Sequence, residues 1–144
     1  MKNLDQRNKI IEYSLKLNST NLSPLRSGNI SLRANEDNKD GYLITPSGKK
    51  YESLKPEEIV FMSMDDEEEK KDSANKPSSE WRFHRDIYLN KKEAQAIVHA
   101  HSPHATAVSS HGKSIPPFHY MIALAGGEDI KCAEYATFGT EELS

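Results

Sequence analysis

Residues 29–45 constrain the fold of this chain more than any other segment. Residues 29–33, NISLR, alternate polar and apolar side chains with the period of two that is typical of a half-buried strand. Residues 37–41 are rich in turn-forming Asp, Asn and Gly, and the mainly apolar residues 42–45 follow. The sequence therefore predicts a β-hairpin over residues 29–45, and residues 59–62 predict a further short strand.

Helical patterns lie on both sides of these strands. Residues 3–17 carry apolar side chains at helical spacing among charges, which predicts an amphipathic helix. Residues 18–27 are rich in Asn, Ser and Thr, which indicates a loop. A second helix is expected to open at residues 77–80, with Ser78 or Ser79 as its N-cap.

The region after this helix predicts further strands. Residues 96–101 read as a strand, and its apolar composition indicates a central place in the sheet. Ser102 and Pro103 then form an N-cap and first-turn pair, which predicts a third helix, while residues 130–136 predict another strand. This mixture predicts one α/β domain over residues 1–144, with three layers: a mostly antiparallel central sheet flanked by helices.

The composition narrows the range of partners. The chain has 144 residues, 19 of them basic and 22 acidic, with a net charge of −3, which argues against a general affinity for nucleic acid or anionic lipid. No apolar run approaches the roughly 18 residues that a membrane span needs, and the charged N-terminal segment does not fit a signal peptide. The single cysteine, Cys132, allows no internal disulfide. We therefore expect a cytoplasmic protein with no nucleic-acid or membrane partner.

The most polar stretch of the chain covers residues 65–75. The run DDEEEKK at residues 65–71 has two interpretations, a solvated surface loop or a cation site. A calcium loop requires Asp or Asn at alternate positions around a Gly, and that spacing is missing. We therefore prefer the surface loop.

Two histidines separated by one residue suggest a metal site. His99 and His101 lie on the predicted strand, where alternate residues point to the same face, so their imidazoles can share an ion. Glu80 is the obvious third ligand, and two imidazoles with one carboxylate suit Zn²⁺, Fe²⁺, Mn²⁺ or Co²⁺. The alternatives are two polar side chains on a solvated sheet face, and a glutamate that only complements its helix dipole.

Three small polar segments are candidates for binding a phosphate group. They offer hydroxyl groups and unhindered backbone N–H groups, and one lies at a predicted helix N-terminus, where anions are favoured. Taken singly, each is better explained as an ordinary turn or helix cap. The candidate residues are Ser27, Gly28 and Asn29, then Ser47 and Gly48, and finally Ser78 and Ser79.

Six stretches of the chain form a pattern that is more specific than any single motif. They are SGNISLR (27–33), LITPSGKKYESL (43–54), PSSEWRFHRDIY (77–88), AIVHAHSPHATAVS (96–109), IPPFHYMIALAGG (115–127) and CAEYATFGTEELS (132–144). In order and spacing they resemble the class II aldolases of the aldolase/adducin family over most of the chain. With glutamate at position 80, the chain is more similar to the L-fuculose-phosphate aldolase branch than to the L-ribulose-phosphate 4-epimerase branch, which usually has aspartate there.

The resemblance implies a metal ion, usually Zn²⁺ but with other divalent metals possible, held by Glu80, His99, His101 and a third histidine. In the family that histidine follows the YATFGT segment, beyond the last residue of this chain. We therefore expect the chain to lack the family's C-terminal part. The resemblance also implies a homo-oligomer, a cyclic tetramer in the family, with active sites at subunit interfaces.

The implied reaction is cleavage of a ketose 1-phosphate, of the L-fuculose 1-phosphate type, to dihydroxyacetone phosphate and an aldehyde. The resemblance makes Glu80 the general base or acid and Tyr120 the residue that handles the proton at the aldehyde oxygen. It also makes the seven small polar residues named above the phosphate ligands. Two alternatives remain open: a sugar-phosphate epimerase or dehydratase of the same fold, and an inactive fragment or adducin-like interaction module.

Overall fold

Three α-helices, four β-strands and five short 3₁₀ helices make up the regular structure in the part of the chain that is described. The computed structural model describes residues 1–66 and 75–143, with the side chain of Arg26 excepted. The elements are α1 (Leu4–Ser19), β1 (Asn29–Glu36), β2 (Lys39–Ile44), β3 (Val60–Ser63), α2 (Trp81–Asn90), β4 (Ala96–His99) and α3 (Pro103–Ser109). Residues 67–71 of the acidic run lie outside the described residues, so the surface loop there stays a prediction.

The four described strands form one sheet in the order β3-β2-β1-β4, and all neighbours are antiparallel. The predicted hairpin is confirmed, with a tighter turn than expected. Glu36 pairs with Lys39, so the turn consists of Asp37 and Asn38, whose φ angles of 52° and 61° fit a two-residue type I′ turn. Gly41 therefore lies within β2, where a Cβ atom would collide with the carbonyl oxygen of Met62.

Helices cover both faces of this sheet, because neighbouring residues of a strand point to opposite sides. Leu43 points towards α1, whereas Tyr42 and Ile44 point towards α2. The core beneath α1 consists of Ile10, Leu17, Ile30, Leu43, Tyr51, Leu54 and Ile59. The core beneath α2 consists of Tyr42, Ile44, Val60, Met62, Trp81 and Tyr88. The predicted three-layer arrangement around a mostly antiparallel sheet is thus confirmed.

The start of α2 differs from the prediction. Neither Ser78 nor Ser79 is the N-cap: that position belongs to Glu80, and no side chain accepts a capping hydrogen bond. The reason is a tight turn before the helix, in which the Trp81 N–H donates to the Ser78 carbonyl oxygen at 3.1 Å. The Ser78 hydroxyl instead accepts from the Glu80 N–H at 3.3 Å.

The predictions for β4 and the segment after it need correction. β4 ends at His99 because its partner β1 begins at Asn29, the residue that pairs with His99, so His101 lies beyond the strand. Among the described strands β4 is an edge strand and not a central one. Residues 130–136 do not form the predicted strand, because among the described residues only Ile130 pairs, in a single bridge to Ile115. Within the described ranges, no helix has the length and apolarity that crossing a membrane requires.

Candidate functional site

A cleft of about 450 Å³ lies beside the start of β1 and collects the predicted phosphate residues. All seven of them line it, together with Glu80 and His101: Ser27, Gly28, Asn29, Ser47, Gly48, Ser78 and Ser79. Two backbone hydrogen bonds of 2.9 Å explain part of this convergence. The Ser47 N–H donates to the Lys76 carbonyl, and the Ser78 N–H donates to the Thr45 carbonyl. These bonds hold the segment after β2 against the segment before α2.

Gly28 brings the start of β1 against the end of β4. A Cβ atom at this position would lie 2.5 Å from the Ser23 hydroxyl oxygen and 2.6 Å from the His99 carbonyl oxygen, so only glycine fits without a shift. The Tyr51 hydroxyl donates a hydrogen bond to the Gly28 carbonyl and fixes this backbone from the other side. The candidate phosphate segment and the candidate metal ligand His99 are therefore in direct contact.

Glu80, His99 and His101 are linked through His99. The His99 Nε2 atom lies 3.4 Å from Glu80 Oε2 and 2.8 Å from His101 Nε2. Donor atoms that bind one ion at 2.0–2.1 Å with tetrahedral angles lie roughly 3.3 Å apart, so the distance from His99 to Glu80 matches the spacing of shared ligands. The 2.8 Å distance from His99 to His101 is that of a hydrogen bond between the two rings. Within residues 1–66 and 75–143, however, no three His, Cys, Asp or Glu side chains stand ready as a complete metal-binding group. The donor chemistry suits a divalent ion, and the exposed His101 has room to adjust.

The electrostatic environment of His99 favours a neutral ring. Burial lowers the pKa of His99, the neighbouring Glu80 carboxylate opposes that shift, and His101 reinforces it. The Phe83 ring, whose centroid lies 5.3 Å from that of His99, forms part of the apolar surroundings. A neutral imidazole is the form that binds a metal ion, so this environment suits the proposed ligand.

A histidine that the sequence analysis missed lies behind Glu80. His84 is fully buried, and its Nε2 atom lies 2.5 Å from Asn29 Oδ1, while Asn29 Nδ2 donates to Glu80 Oε2 at 2.6 Å. The side chain of Asn29 is thus held by Glu80 and His84. The available signal was the spacing of Glu80, His84 and Tyr88, which at intervals of four residues share one helical face.

Lys49 also lines the cleft, and the sequence analysis did not single it out. It is the only Lys or Arg among the described lining residues. Its ammonium group lies 3.0 Å from a carboxylate oxygen of Glu58, and 44% of its side chain is exposed. A partly exposed lysine at the cleft wall supplies positive charge where an anion would bind.

A second cavity of about 750 Å³ adjoins the first and shares Glu80, His101 and Phe138 with it. Its wall is largely apolar because Phe83, Ile87, Tyr135 and Leu143 contribute to it. The carboxylate and the histidine therefore stand between a polar cleft and an apolar one.

Tyr120 is not brought to this site by the described chain. It begins the short 3₁₀ helix Tyr120–Ala125, is 79% exposed, and lines neither cavity. Its ring packs against the neighbouring His119, with centroids 4.4 Å apart.

Comparison with known proteins gives the class of this site. The family described as Class II Aldolase and Adducin N-terminal domain matches residues 8–144. An L-fuculose phosphate aldolase of Escherichia coli strain K12 is 48% identical over 143 residues, which cover 96% of this chain and 63% of the relative. A 5-methylthioribulose-1-phosphate/5-deoxyribulose-1-phosphate aldolase of Rhodospirillum rubrum is 45% identical over 138 residues, covering 96% of this chain and 59% of the relative.

A solved structure supports the same assignment. A protein described as L-fuculose 1-phosphate aldolase superposes with a TM-score of 0.85 at 37% identity, over 96% of this chain and 63% of that one. The chain therefore belongs to the class II aldolase and adducin N-terminal domain family, as its motifs predicted. It spans about three fifths of the length of the curated relatives named here.

Proposed function

We propose that the protein is a divalent-metal-dependent aldolase that cleaves a ketose 1-phosphate to dihydroxyacetone phosphate and an aldehyde. One observation carries the proposal: the seven candidate phosphate residues, Glu80 and His101 all line one cleft. His99 lies between the other two candidate metal ligands: its Nε2 atom is 3.4 Å from Glu80 Oε2 and 2.8 Å from His101 Nε2. The names of the relatives point to the same substrate class, since they are aldolases of fuculose phosphate and methylthioribulose phosphate.

The phosphate group is proposed to bind at the polar end of the cleft. Ser47, Ser78 and Ser79 offer hydroxyl donors there, while Gly28 and Gly48 leave backbone N–H groups unhindered. The Ser27 hydroxyl donates to the Pro24 carbonyl at 2.9 Å and would have to leave it to reach the phosphate. Asn29 lies in the same lining but its side-chain amide is engaged by Glu80 and His84, so we expect it to orient Glu80. The positive charge of Lys49 attracts the phosphate dianion.

Glu80 is proposed to move the proton in the reaction. Cleavage breaks the bond between C3 and C4 of the ketose, leaves its electron pair on the enediolate of dihydroxyacetone phosphate, and transfers the C4 hydroxyl proton to a base. Glu80, ionised at the start, receives that proton from the base and delivers it to C3, which completes the first product with no net gain or loss of protons. The proposed ion, Zn²⁺ in the first instance, would be held by Glu80, His99 and His101 and would stabilise the negative charge on the enediolate oxygens as a Lewis acid.

The proton at the aldehyde oxygen is assigned to Tyr120. Because Tyr120 is 79% exposed and lines neither cavity of its own chain, we propose that it acts in the cleft of a neighbouring copy. That assignment requires a homo-oligomer with sites at subunit interfaces, for which we propose a cyclic tetramer. We propose a cytoplasmic location for this assembly.

The test is release of dihydroxyacetone phosphate, coupled to NADH oxidation by glycerol-3-phosphate dehydrogenase. L-Fuculose 1-phosphate and 5-methylthioribulose 1-phosphate serve as alternative substrates for protein loaded with Zn²⁺. We expect Glu80→Gln to lower kcat by roughly 10²–10⁴-fold, the usual contribution of a general acid or base.

The matched control is Glu12→Gln. Glu12 is a carboxylate with 57% of its side chain exposed, paired with Lys16 on α1 and remote from both cavities. It should retain the wild-type rate. Metal-loaded protein that releases no dihydroxyacetone phosphate from either substrate, or that epimerises the ketose without cleavage, would contradict the proposal.

A further inference from the structure

Five polar side chains form a continuous hydrogen-bonded chain from the sheet core to the cleft. It links the Tyr88 hydroxyl to Ser31 Oγ at 2.9 Å, Ser31 Oγ to His84 Nδ1 at 2.7 Å, and His84 Nε2 to Asn29 Oδ1 at 2.5 Å. The last bond, 2.6 Å, joins Asn29 Nδ2 to Glu80 Oε2. Tyr88, Ser31 and His84 are fully buried and Asn29 is 4% exposed, so water cannot replace these partners.

The direction of every hydrogen bond among these five side chains follows from the Glu80 carboxylate, where the series ends. An ionised Glu80 only accepts hydrogen bonds, so the amide nitrogen of Asn29 must face it and the amide oxygen must face His84. That oxygen also only accepts, so His84 must carry a proton on Nε2. A neutral His84 then has a bare Nδ1, which accepts from the Ser31 hydroxyl, and the Ser31 oxygen in turn accepts from Tyr88.

The other end of the chain agrees with this direction. The Tyr88 hydroxyl is fully buried, and burial raises its pKa to about 12, so it keeps a proton that it can donate to Ser31. A doubly protonated His84 has no place here, because burial and the neighbouring His99 lower its pKa to about 3. Each ring nitrogen of His84 therefore makes one hydrogen bond: Nε2 donates to Asn29, and Nδ1 accepts from Ser31.

Two structural elements hold these five hydrogen-bonded side chains in place. Glu80, His84 and Tyr88 lie along α2 and its N-cap, and Asn29 and Ser31 lie on β1 with their side chains on the face towards α2. The Phe83 ring stacks on the His84 ring at a centroid distance of 4.6 Å. The carboxylate oxygen that Asn29 contacts is the one that lies 3.4 Å from His99.

We propose that His84 is a positioning residue which, as the neutral Nε2–H tautomer fixed by Ser31 and Tyr88, holds Glu80 towards His99 through Asn29. The proposal rests on the proposed function only in taking Glu80 as the metal ligand and proton-transfer group. His84 itself touches neither the cleft nor a substrate, since it lines neither cavity. Its effect is to keep one carboxylate oxygen in place while the other stays available.

The first test reads the tautomer directly. In ¹⁵N-histidine-labelled protein, two-bond ¹H–¹⁵N correlation spectra distinguish the two neutral tautomers, and the His84→Gln spectrum assigns the signal. We expect a pure Nε2–H form at pH 7. A Nδ1–H form or an imidazolium at that pH would overturn the proposal.

Ser31 and Ser14 provide a matched pair for the second test, because both hydroxyl groups are fully buried. Ser31→Ala removes the donor to His84 Nδ1, whereas Ser14→Ala removes a donor to the Ile10 carbonyl on α1, on the other face of the sheet. We expect Ser31→Ala to give a mixture of His84 tautomers and Ser14→Ala to keep the pure form. An unchanged spectrum in Ser31→Ala would contradict a tautomer fixed by Ser31.

The third test measures the Zn²⁺ affinity of the protein by competition with a chelating dye. His84→Phe keeps an aromatic ring but removes both nitrogens, and should weaken binding by roughly 10–100-fold, the usual cost of losing an outer hydrogen-bond partner. His84→Gln retains an amide N–H near the Nε2 position and should recover most of that loss. Equal affinities of His84→Phe and wild type, or no recovery in His84→Gln, would overturn the positioning role.

These readouts separate the positioning role from the proposed activity. A protein that cleaves no ketose phosphate but shows the predicted tautomers and Zn²⁺ affinities would refute the aldolase proposal and support the role of His84. A protein that cleaves ketose phosphates but has His84 in another tautomer would support the aldolase proposal and refute the role of His84. If His84→Phe does not fold, or if no Zn²⁺ binds, the spectra of Ser31→Ala and Ser14→Ala decide the question.

Discussion

The buried His84 should make the stability of the protein fall as the pH drops below neutrality. Its pKa is about 3 in the folded chain, because of burial and the nearby His99, against an ordinary value of 6.5. Between these two pH values the unfolded chain binds a proton at this residue that the folded chain does not bind. The free energy of unfolding therefore rises with pH in this window, and the contribution is lost as the pH falls from 6.5 towards 3.

The magnitude follows from the two pKa values. One pH unit below the unfolded pKa is worth about 1.4 kcal/mol per proton, so lowering the pH from 7.5 to 5.5 should remove about 1.4 kcal/mol through His84. With a urea m-value of about 1–3 kcal/mol/M, the midpoint should shift down by roughly 0.5–1.4 M. The assay is urea denaturation of the metal-free protein at both pH values.

The decisive comparison is with His84→Gln, which has no titrating ring at this position. Its loss of stability between pH 7.5 and 5.5 should be smaller than that of the wild type by about 1.4 kcal/mol. His111→Gln, which replaces an exposed imidazole, should keep the wild-type pH dependence. Parallel losses in wild type and His84→Gln would refute the conclusion that His84 is held neutral in the fold.

Three further predictions concern the cleft and the core. Gly28→Ala would place a methyl group 2.6 Å from the His99 carbonyl, so urea denaturation should show a destabilisation of about 1–3 kcal/mol; an unchanged midpoint would contradict the close approach. Lys49→Met should weaken binding of inorganic phosphate by up to about fivefold in calorimetry, since the lysine is partly exposed, and equal affinity would remove Lys49 from the anion site. Arg7→Met would leave Glu36 without its 2.7 Å partner and should cost about 3–5 kcal/mol of stability, whereas a loss below 1 kcal/mol would show that the pair is solvated.

Local patterns were sufficient for the elements whose stability comes from neighbouring residues. The helix over residues 3–17 and the hairpin over residues 29–45 follow from apolar periodicity and turn chemistry, and the structure has both. The residues of the cleft were also identified, because small polar segments and the family motifs mark them. Their convergence in one cleft depends on backbone contacts between segments, such as the bond from Ser47 to Lys76.

Tertiary packing decided the features that the sequence analysis missed. The end of β4 at His99 depends on where β1 begins. Residues 130–136 form no strand because the described part of the chain offers them no pairing partner beyond the bridge from Ile130 to Ile115. His84 and Asn29 are separated by 55 positions in the sequence, so their hydrogen bond exists only once α2 packs on β1. No periodicity within either element specifies that contact.

The most direct test of the central claim is the zinc K-edge X-ray absorption spectrum of the Zn²⁺-loaded protein. We expect nitrogen and oxygen ligands at roughly 2.0–2.2 Å, with the multiple scattering of two imidazoles in the wild type. His99→Gln and His101→Gln should each lose one imidazole contribution, and Glu80→Gln should lose one oxygen ligand. A spectrum that the three substitutions leave unchanged, or one dominated by a sulfur ligand at about 2.3 Å from Cys132, would contradict a metal site built from Glu80, His99 and His101.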